Sequence, residues 1–359
     1  MTTLSPMLAD RPCIAIPSGL VRRRSTQPPG VCLRAVLVLA AVVALGGCAF
    51  DGPMSTLVAH SDLNHSILGV YKIITWAVSI IGLLVFALLA VILLRYHDRP
   101  GAALPRQIHG HTAMEISWTI APALILLIIA IPTIQVIFKT QSAAAPKNAL
   151  EVTVRGWQWW WEFRYPSLDV VTANEVHLPV GRAIVFVLEG PDVIHSLWIP
   201  QLGGKRDVVP GRVNRITLTP DTPGEYWGQC AEYCGTSHAN MMLRVIVQAP
   251  ADFDTWVAAQ KAAAPEPAGD AVTGKEIFAR SACVGCHTIR GVSAGVLGPD
   301  LTHFGSRKLF GAGLWETNAE NVAAWVKDPP RLKPGSKMPN LHLSEADSKA
   351  VAAYLTGLK

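Results

Sequence analysis

Two long apolar runs dominate the first half of the chain. Residues 73–94 contain no charged side chain over 22 positions, and residues 116–138 contain none over 23. At a rise of about 1.5 Å per residue, each run is long enough to cross a hydrocarbon core about 30 Å thick. The pattern therefore predicts a two-helix transmembrane hairpin within residues 49–148.

The segment between the two runs carries basic side chains at Arg95, Arg99 and Arg106. Short loops rich in Lys and Arg stay on the cytoplasmic side of a membrane. Both outer ends of the hairpin are therefore expected on the extracytoplasmic side of a bacterial cytoplasmic membrane. Everything after Lys139 is then expected to be exported.

Residues 1–48 have the pattern of an export signal. Basic residues precede an apolar run, residues 35–47, whose length matches the hydrophobic region of a signal peptide. The sequence LGGC that follows ends at Cys48 and resembles a bacterial lipobox. That resemblance implies that Cys48 is acylated and begins the mature chain; the alternative is an ordinary signal peptide with an incidental cysteine.

The pattern changes to short runs of period two after the hairpin, with Pro and Gly between them. This alternation is typical of strands and predicts an all-β sandwich over residues 149–250. The predicted strands cover residues 151–154, 183–188, 212–218 and 242–247.

The last part of the chain has helical signals. Residues 251–271 predict a short helix and an Ala/Pro linker that cannot build a core. Residues 272–359 then predict a small all-α domain, with helices over 273–281, 318–326 and 344–355.

Composition and charge agree with a multi-domain membrane protein. Only 16% of the residues are charged and the mean hydropathy is +0.31, whereas about 25% charged residues is usual for soluble domains. Residues 271–359 carry a net charge of +4 and residues 151–250 a net charge of −2. No block of like charge resembles a nucleic-acid-binding arm. The opposite signs predict that the two exported domains dock transiently, with a contact that salt weakens.

Five soft or borderline metal ligands occur in one part of the predicted sandwich. They are His195 and the motif Cys230-x3-Cys234-x3-His238-x2-Met241. Thiolate, imidazole and thioether together favour copper or zinc. Structural zinc usually uses a Cys-x2-Cys spacing without methionine, and two thiolates in one loop can bridge two copper ions.

The stretches 195–205 and 224–241 resemble the CuA signature of subunit II of haem–copper cytochrome c oxidases. The resemblance implies a cupredoxin-like sandwich that holds a binuclear CuA centre. It also implies that the Glu232 carboxylate binds a Mg or Mn ion shared with subunit I. The implied copper ligands are Cys230 and Cys234 as bridges, His195, His238, Met241 and the Glu232 carbonyl.

The aromatic run in residues 156–163 resembles a family segment whose first tryptophan lies between CuA and the cytochrome that delivers electrons. The matching position is Trp159, which the resemblance implies is the point where electrons enter. The sequence departs from many relatives at Trp157 and Trp160, where they carry His and Tyr. Aromatic clusters of this kind also occur simply as core.

Residues 115–122 also resemble the family, in which a glutamate at this position lies at the entrance of a proton pathway into subunit I. The resemblance implies this role for Glu115. The alternative is an interfacial carboxylate with no transport role.

Cys283-x-x-Cys286-His287 is the motif of covalent c-type haem attachment, with His287 as proximal ligand. Met338 lies 51 residues after His287 and is the candidate second axial ligand. Residues 297–301 resemble the loop of class I cytochromes c whose proline carbonyl orients the proximal histidine. A redox-active Cys-x-x-Cys with an incidental histidine is the alternative.

Together these resemblances identify a caa3-type subunit II of a bacterial cytochrome c oxidase, with a class I cytochrome c domain fused at its C-terminal end. They imply that electrons pass through haem c and CuA to subunit I, which reduces O2 to water and translocates protons. The implied partners are subunits I and III, membrane lipid, and an external donor such as a cytochrome c or the bc complex. Two alternatives are a copper-free structural subunit of a quinol oxidase and a membrane-tethered copper-delivery protein. The retained copper ligands argue against the first, and the second would need an exchangeable site of low coordination and no haem.

Overall fold

The computed structural model describes residues 52–97, 100–101, 103, 106–141 and 146–359. The export signal and Cys48 lie outside these residues. The described chain forms, in order, a helical hairpin, a β-sandwich and a C-terminal helical domain.

The hairpin consists of α1 (Asp62–Arg95) and α2 (Thr112–Gln141), both long and apolar enough to cross a membrane. Each helix extends beyond the apolar run from which it was predicted. Helix α1 begins early because the Ser61 side chain caps it, accepting a hydrogen bond from the backbone N–H of Asn64. The first turns of α1 therefore precede the apolar run and carry polar side chains.

Those polar turns join the hairpin to the sandwich. The Asp62 carboxylate accepts a hydrogen bond from the backbone N–H of Thr219 at 2.7 Å. At the same end of the hairpin, Lys139 Nζ of α2 donates to Ser66 Oγ of α1 at 2.8 Å, and Arg206 of the sandwich donates to the Gln141 side chain at 3.1 Å. The start of α1 and the end of α2 therefore lie together beside the sandwich, on the side opposite the connecting loop.

Ten strands form two five-stranded sheets in the described part of the sandwich. In the first sheet the order is β3, β2, β1, β5, β8, and in the second it is β4, β10, β9, β6, β7. The strands are β1 (Leu150–Trp157), β2 (Trp160–Tyr165), β3 (Val170–Ala173), β4 (Glu175–Pro179), β5 (Ile184–Glu189), β6 (His195–Trp198), β7 (Arg206–Val208), β8 (Asn214–Leu218), β9 (Gly224–Cys230) and β10 (Met242–Gln248).

The sandwich core follows from side chains that alternate across each sheet. Val152 and Val154 of β1 are fully buried, as are Trp161 and Phe163 of β2. The four period-two runs seen in the sequence are β1, β5, β8 and β10. Several of the other strands are short, and β4 is buried on both faces and shows no alternation, whereas β9 alternates in burial but was not among the predicted strands.

Helix α3 (Pro250–Lys261) follows the sandwich, and residues 262–269 then form neither helix nor strand. Among the described residues the C-terminal domain contains five α-helices, one 3-10 helix (Phe304–Ser306) and two small sheets of two-residue strands, which the all-α expectation did not include. The helices are α4 (Asp270–Arg280), α5 (Cys283–Cys286), α6 (Ala319–Lys327), α7 (Pro329–Leu332) and α8 (Glu345–Gly357). The short strands are β11 (Thr288–Ile289), β12 (Ser293–Ala294), β13 (Leu309–Phe310) and β14 (Trp315–Glu316).

The C-terminal domain has its own apolar core, built where α4 crosses α8. Phe278 and Tyr354 meet edge to face there, with ring centroids 6.0 Å apart. The helices approach closely because α4 has no side chain at Gly274. A Cβ added at Gly274 would lie 2.0 Å from the carbonyl oxygen of Ala350.

Replacing Gly274 by Ala should therefore destabilise the C-terminal domain, although Ala favours helix. Overpacking against backbone cannot be relieved by rotating a side chain. We expect the free energy of unfolding to fall by about 3 kcal/mol, measured by denaturant unfolding followed by circular dichroism.

Gly357→Ala is the matched control, because a Cβ at Gly357 has no neighbour within 4 Å. Its effect should stay within about 0.5 kcal/mol. Equal stabilities for the Gly274 and Gly357 variants would contradict the close helix crossing.

Candidate functional site

The site lies at one end of the second sheet. Strand β9 ends at Cys230, and the loop that follows carries Cys234, His238 and Met241 before β10 begins. His195 opens the neighbouring strand β6, which is hydrogen-bonded to β9. Sheet pairing thus places His195 beside a loop 35 residues away in sequence.

The ligating atoms of these five side chains converge. Cys230 Sγ lies 3.8 Å from Cys234 Sγ and 3.8 Å from His195 Nδ1. Cys234 Sγ lies 3.6 Å from His238 Nδ1 and 3.9 Å from Met241 Sδ. The two sulfurs therefore lie side by side at the centre, each with an imidazole nitrogen within 4 Å.

A backbone oxygen completes the donor set. The Glu232 carbonyl lies 3.2 Å from Cys230 Sγ, and both cysteines are buried without a disulfide. Each of the five side chains has a ligating atom within 4 Å of a thiol sulfur, an arrangement that packing alone does not explain. The donor set fits soft or borderline metal ions and suits copper.

The sulfur–sulfur contact shifts the pKa values of the two thiols in opposite directions. A hydrogen bond from Cys234 lowers the pKa of Cys230, and the same contact raises the pKa of Cys234. Ligation by both sulfurs requires both thiols to lose their protons, so metal binding depends on pH.

His195 is oriented by Asp192, which sequence analysis missed. His195 Nε2 lies 2.9 Å from Asp192 Oδ1, so the N–H on this side donates to the carboxylate and Nδ1 faces Cys230. Burial opposes the charged imidazole, but hydrogen bonds to Asp192 and Cys230 outweigh it and raise the pKa of His195. The Asp-x-x-His spacing was the available sequence signal.

The His195 ring packs directly against the backbone of Gly156 in β1, where there is no room for a side chain. A Cβ on Gly156 would lie 2.9 Å from His195 Cδ2. The indole of Trp161 meets the same imidazole edge to face, at 6.0 Å between ring centroids. The aromatic run of the sequence thus builds one wall of the site.

Trp159 lies against the ligand loop. Its indole Nε1 donates to the carbonyl of Cys234 at 3.1 Å, and Gln158 Nε2 donates to the same oxygen at 2.7 Å. Trp159 is only 8% exposed, because the C-terminal domain covers it. A Cβ on Gly335 of that domain would lie 2.7 Å from Trp159 Cη2.

A second site lies in the C-terminal domain. Cys283 and Cys286 stand at the two ends of the single-turn helix α5 and form no disulfide. His287 Nδ1 lies 2.8 Å from the carbonyl of Pro299, which leaves Nε2 free to ligate. Burial lowers the pKa of His287, which keeps the imidazole neutral as ligation requires.

The same domain contains buried polar side-chain atoms that lack hydrogen-bond partners among the described residues. Arg307 Nε and both ring nitrogens of His303 are buried and have no hydrogen-bond partner among the described residues. Met338 and Cys283 are half-buried against the helical core. Orphaned donors beside an apolar core, together with two free cysteines and an oriented histidine, fit a covalently held haem with charged substituents.

The remaining predicted residues lie elsewhere. Glu115 is exposed in the first turn of α2, where its carboxylate accepts the backbone N–H of His111 at 3.3 Å. The Glu232 side chain is half-buried in the ligand loop.

Comparison with known families divides the chain in the same way. Residues 54–136 match "Cytochrome C oxidase subunit II, transmembrane domain", residues 169–249 match "Cytochrome C oxidase subunit II, periplasmic domain", and residues 271–359 match "Cytochrome c". The matched domains imply copper in the sandwich and haem in the C-terminal domain.

Individual relatives agree. Cytochrome c oxidase subunit 2 of Alkalihalophilus pseudofirmus is 40% identical over 288 residues, which cover 78% of this chain and 84% of the relative. In Bacillus subtilis, cytochrome c oxidase subunit 2 is 35% identical, covering 71% of this chain and 77% of the relative. Quinol oxidase subunit 2 of the same organism is 34% identical, covering 65% and 75%. With two transmembrane-type helices, a β-sandwich and a helical haem-type domain in one chain, this protein belongs to the cytochrome c oxidase subunit II family and carries a cytochrome c domain.

Proposed function

We propose that the sandwich holds a binuclear CuA centre. The proposed ligands are the side chains of His195, Cys230, Cys234, His238 and Met241 and the carbonyl of Glu232. Two adjacent sulfurs, each with its own imidazole nitrogen, supply the two halves of a thiolate-bridged copper pair. When bound, the pair supplies a one-electron carrier whose ligands need to move little between redox states.

We further propose that Cys283 and Cys286 attach haem c, with His287 and Met338 as its axial ligands. The Pro299 carbonyl holds the His287 ring in one orientation. Met338 belongs to the loop that begins at Lys333, and this loop contacts the sandwich at Trp159 and Ser237. Met/His ligation suits an electron-transfer haem of raised potential.

The chain is a subunit of a cytochrome c oxidase and associates with subunit I, where O2 is reduced. The proposed route runs from an external donor, such as a cytochrome c or the bc complex, to the haem domain, past Trp159 to the copper domain, and on to subunit I. The observation that carries this route is the position of Trp159. Its indole bonds the Cys234 carbonyl while its ring is covered by the haem domain.

Several finer assignments rest on the family resemblance and remain proposals. They are a Mg or Mn ion on the Glu232 carboxylate at the subunit I interface, a proton-pathway entrance at Glu115, contact with subunit III, and both exported domains on the extracytoplasmic side. The hydrogen bonds from both outer ends of the hairpin to the sandwich support the last of these.

The quinol oxidase alternative has to be weighed, because a quinol oxidase subunit is almost as similar in sequence as a cytochrome c oxidase subunit. The complete set of converging ligands and the cytochrome c domain favour the cytochrome c oxidase. The haem motif also argues against a copper-delivery protein, which needs an exchangeable site and no haem.

Replacing Cys230 by Ser should abolish the mixed-valence copper centre and leave the haem spectrum unchanged. A hydroxyl oxygen lacks the softness of the bridging thiolate. Copper content and electron paramagnetic resonance of the purified protein measure the effect. A delocalised two-copper signal that survives the substitution would contradict the bridging role of Cys230.

Replacing Met338 by Ala should leave haem attached through both cysteines but lower its potential by about 0.1 V or more. It should also open a coordination position to added imidazole. Redox titration and denaturing-gel haem staining measure the two effects, and Cys230→Ser serves as the control with a normal haem. An unaltered potential would exclude Met338 as ligand.

Cys48 is proposed to be the acylated first residue of the mature chain. The intact mass of the protein purified from membranes should match a chain that begins at Cys48 with added acyl groups. A chain that begins before Cys48, or a Cys48 thiol that reacts freely with a maleimide, would contradict the assignment.

A further inference from the structure

Lys333 is a buried lysine that neither proposed redox site uses. It is 4% exposed and forms no ion pair among the described residues. Its Nζ donates to the carbonyl of Trp159 in the sandwich at 2.8 Å and to the carbonyl of Gly311 in its own domain at 3.0 Å. One amino group thus joins the two exported domains at the tryptophan that covers the copper ligands.

The Trp159 carbonyl is available because of where Trp159 lies. Strands β1 and β2 pair up to Trp157 and Trp160, and Gln158 and Trp159 form the two-residue turn between them. The carbonyl of Trp159 therefore belongs to the turn, outside the paired positions, and is free to accept from another domain. The indole N–H of the same residue donates to the Cys234 carbonyl.

The residues after Lys333 continue the contact. Ser237 Oγ of the copper-ligand loop donates to the carbonyl of Pro334 at 2.5 Å. Gly335 has φ +80° and lies so close to the Trp159 ring that any side chain would collide with it. Met338, the proposed haem ligand, follows three residues later.

We propose that Lys333 is the positioning residue that holds the haem domain on the copper domain at Trp159, and so sets the geometry for electron transfer between them. The electron-transfer part of this proposal rests on the route proposed above. One electron leaves the haem domain and enters the copper domain, and no bond is made or broken. Lys333 touches neither metal site and acts through the backbone of Trp159.

This contact differs from the transient, salt-sensitive docking that the net charges predict. Ion pairs do exist at the rim, between Lys308 and Glu225 and, at 3.6 Å, between Lys337 and Asp192. Both lysines are more than half exposed, so salt screens these pairs and they contribute little. The hydrogen bonds of Lys333 are buried, so salt does not screen them. The net charges of the two domains do not predict these bonds, because their acceptors are uncharged backbone carbonyls.

Other hydrogen bonds also join the two domains, including Met242 N–H to the Ala312 carbonyl at 3.1 Å and Ser237 Oγ to the Pro334 carbonyl at 2.5 Å. Lys333 differs from them in satisfying two carbonyls with one buried amino group. When the domains separate, water hydrates the carbonyls of Trp159 and Gly311, but in the docked state water is excluded and only Lys333 satisfies them. Burial lowers the pKa of Lys333 to about 7, and with or without its extra proton the amino group keeps two N–H donors for the two carbonyls. Removing it leaves both oxygens unpaired in the docked state alone.

The test compares Lys333→Met with Lys308→Met in the purified, fully loaded oxidase. Both replace a lysine of the haem domain at the same interface by a side chain of similar length. Hydroxyl-radical footprinting of Trp159 reports docking without using electron transfer. We expect oxidation of Trp159 to rise by about tenfold in Lys333→Met and to stay near the wild-type level in Lys308→Met.

Flash photolysis then measures haem-to-copper transfer in the same samples. The wild-type rate should be independent of ionic strength and solvent viscosity. In Lys333→Met it should fall and become dependent on both, while optical spectra and reduction potentials of the two centres stay unchanged.

The outcomes separate the two proposals. Equal protection of Trp159 in Lys333→Met and wild type overturns the role of Lys333. Oxidation of Trp159 as fast as that of Tyr233, which is 76% exposed, in the wild-type protein would also overturn the role of Lys333, because Trp159 would then not be covered. This measurement needs only wild-type protein, so it tests the role of Lys333 even if the variant fails to bind haem. Absence of haem-to-copper transfer in wild type with Trp159 protected would overturn the electron route and leave the docking role of Lys333 standing.

Discussion

The carbonyl of Cys234 is the acceptor on which the arrangement of both exported domains depends. It takes hydrogen bonds from Gln158 and Trp159, which ties the copper-ligand loop to the turn between β1 and β2. That turn then offers its own carbonyl to Lys333 of the haem domain. One tryptophan thus contacts the ligand loop through its indole N–H and the second domain through both its backbone carbonyl and its ring.

Strand pairing positions two of the proposed copper ligands. Cys230 closes β9, and its neighbour across the ladder is Leu197 of β6, two residues after His195. Asp192 holds the imidazole from behind. Loop residues alone could not hold two sulfurs side by side in a buried site, where unpaired polar groups are costly. Metal binding offsets that cost, so the folded sandwich should gain stability with copper.

The linear motifs were readable from the sequence because the chemistry fixes their spacing. Cys230, Cys234, His238 and Met241 lie in one loop, and the haem motif spans only Cys283 to His287. The apolar runs also predicted the hairpin, although α1 starts earlier because its polar first turn docks on the sandwich. Lys333 could not be found in this way. Its partners are backbone carbonyls, which have no sequence signature, and Trp159 lies 174 residues away.

The central claim, that this chain carries a thiolate-bridged copper pair beside a c-type haem, is tested most directly by the electron paramagnetic resonance spectrum of the oxidised wild-type protein. The account predicts one unpaired electron shared equally between two copper nuclei, together with the signal of a low-spin haem. A sandwich with a single isolated copper ion, or one without copper beside an intact haem, would contradict it.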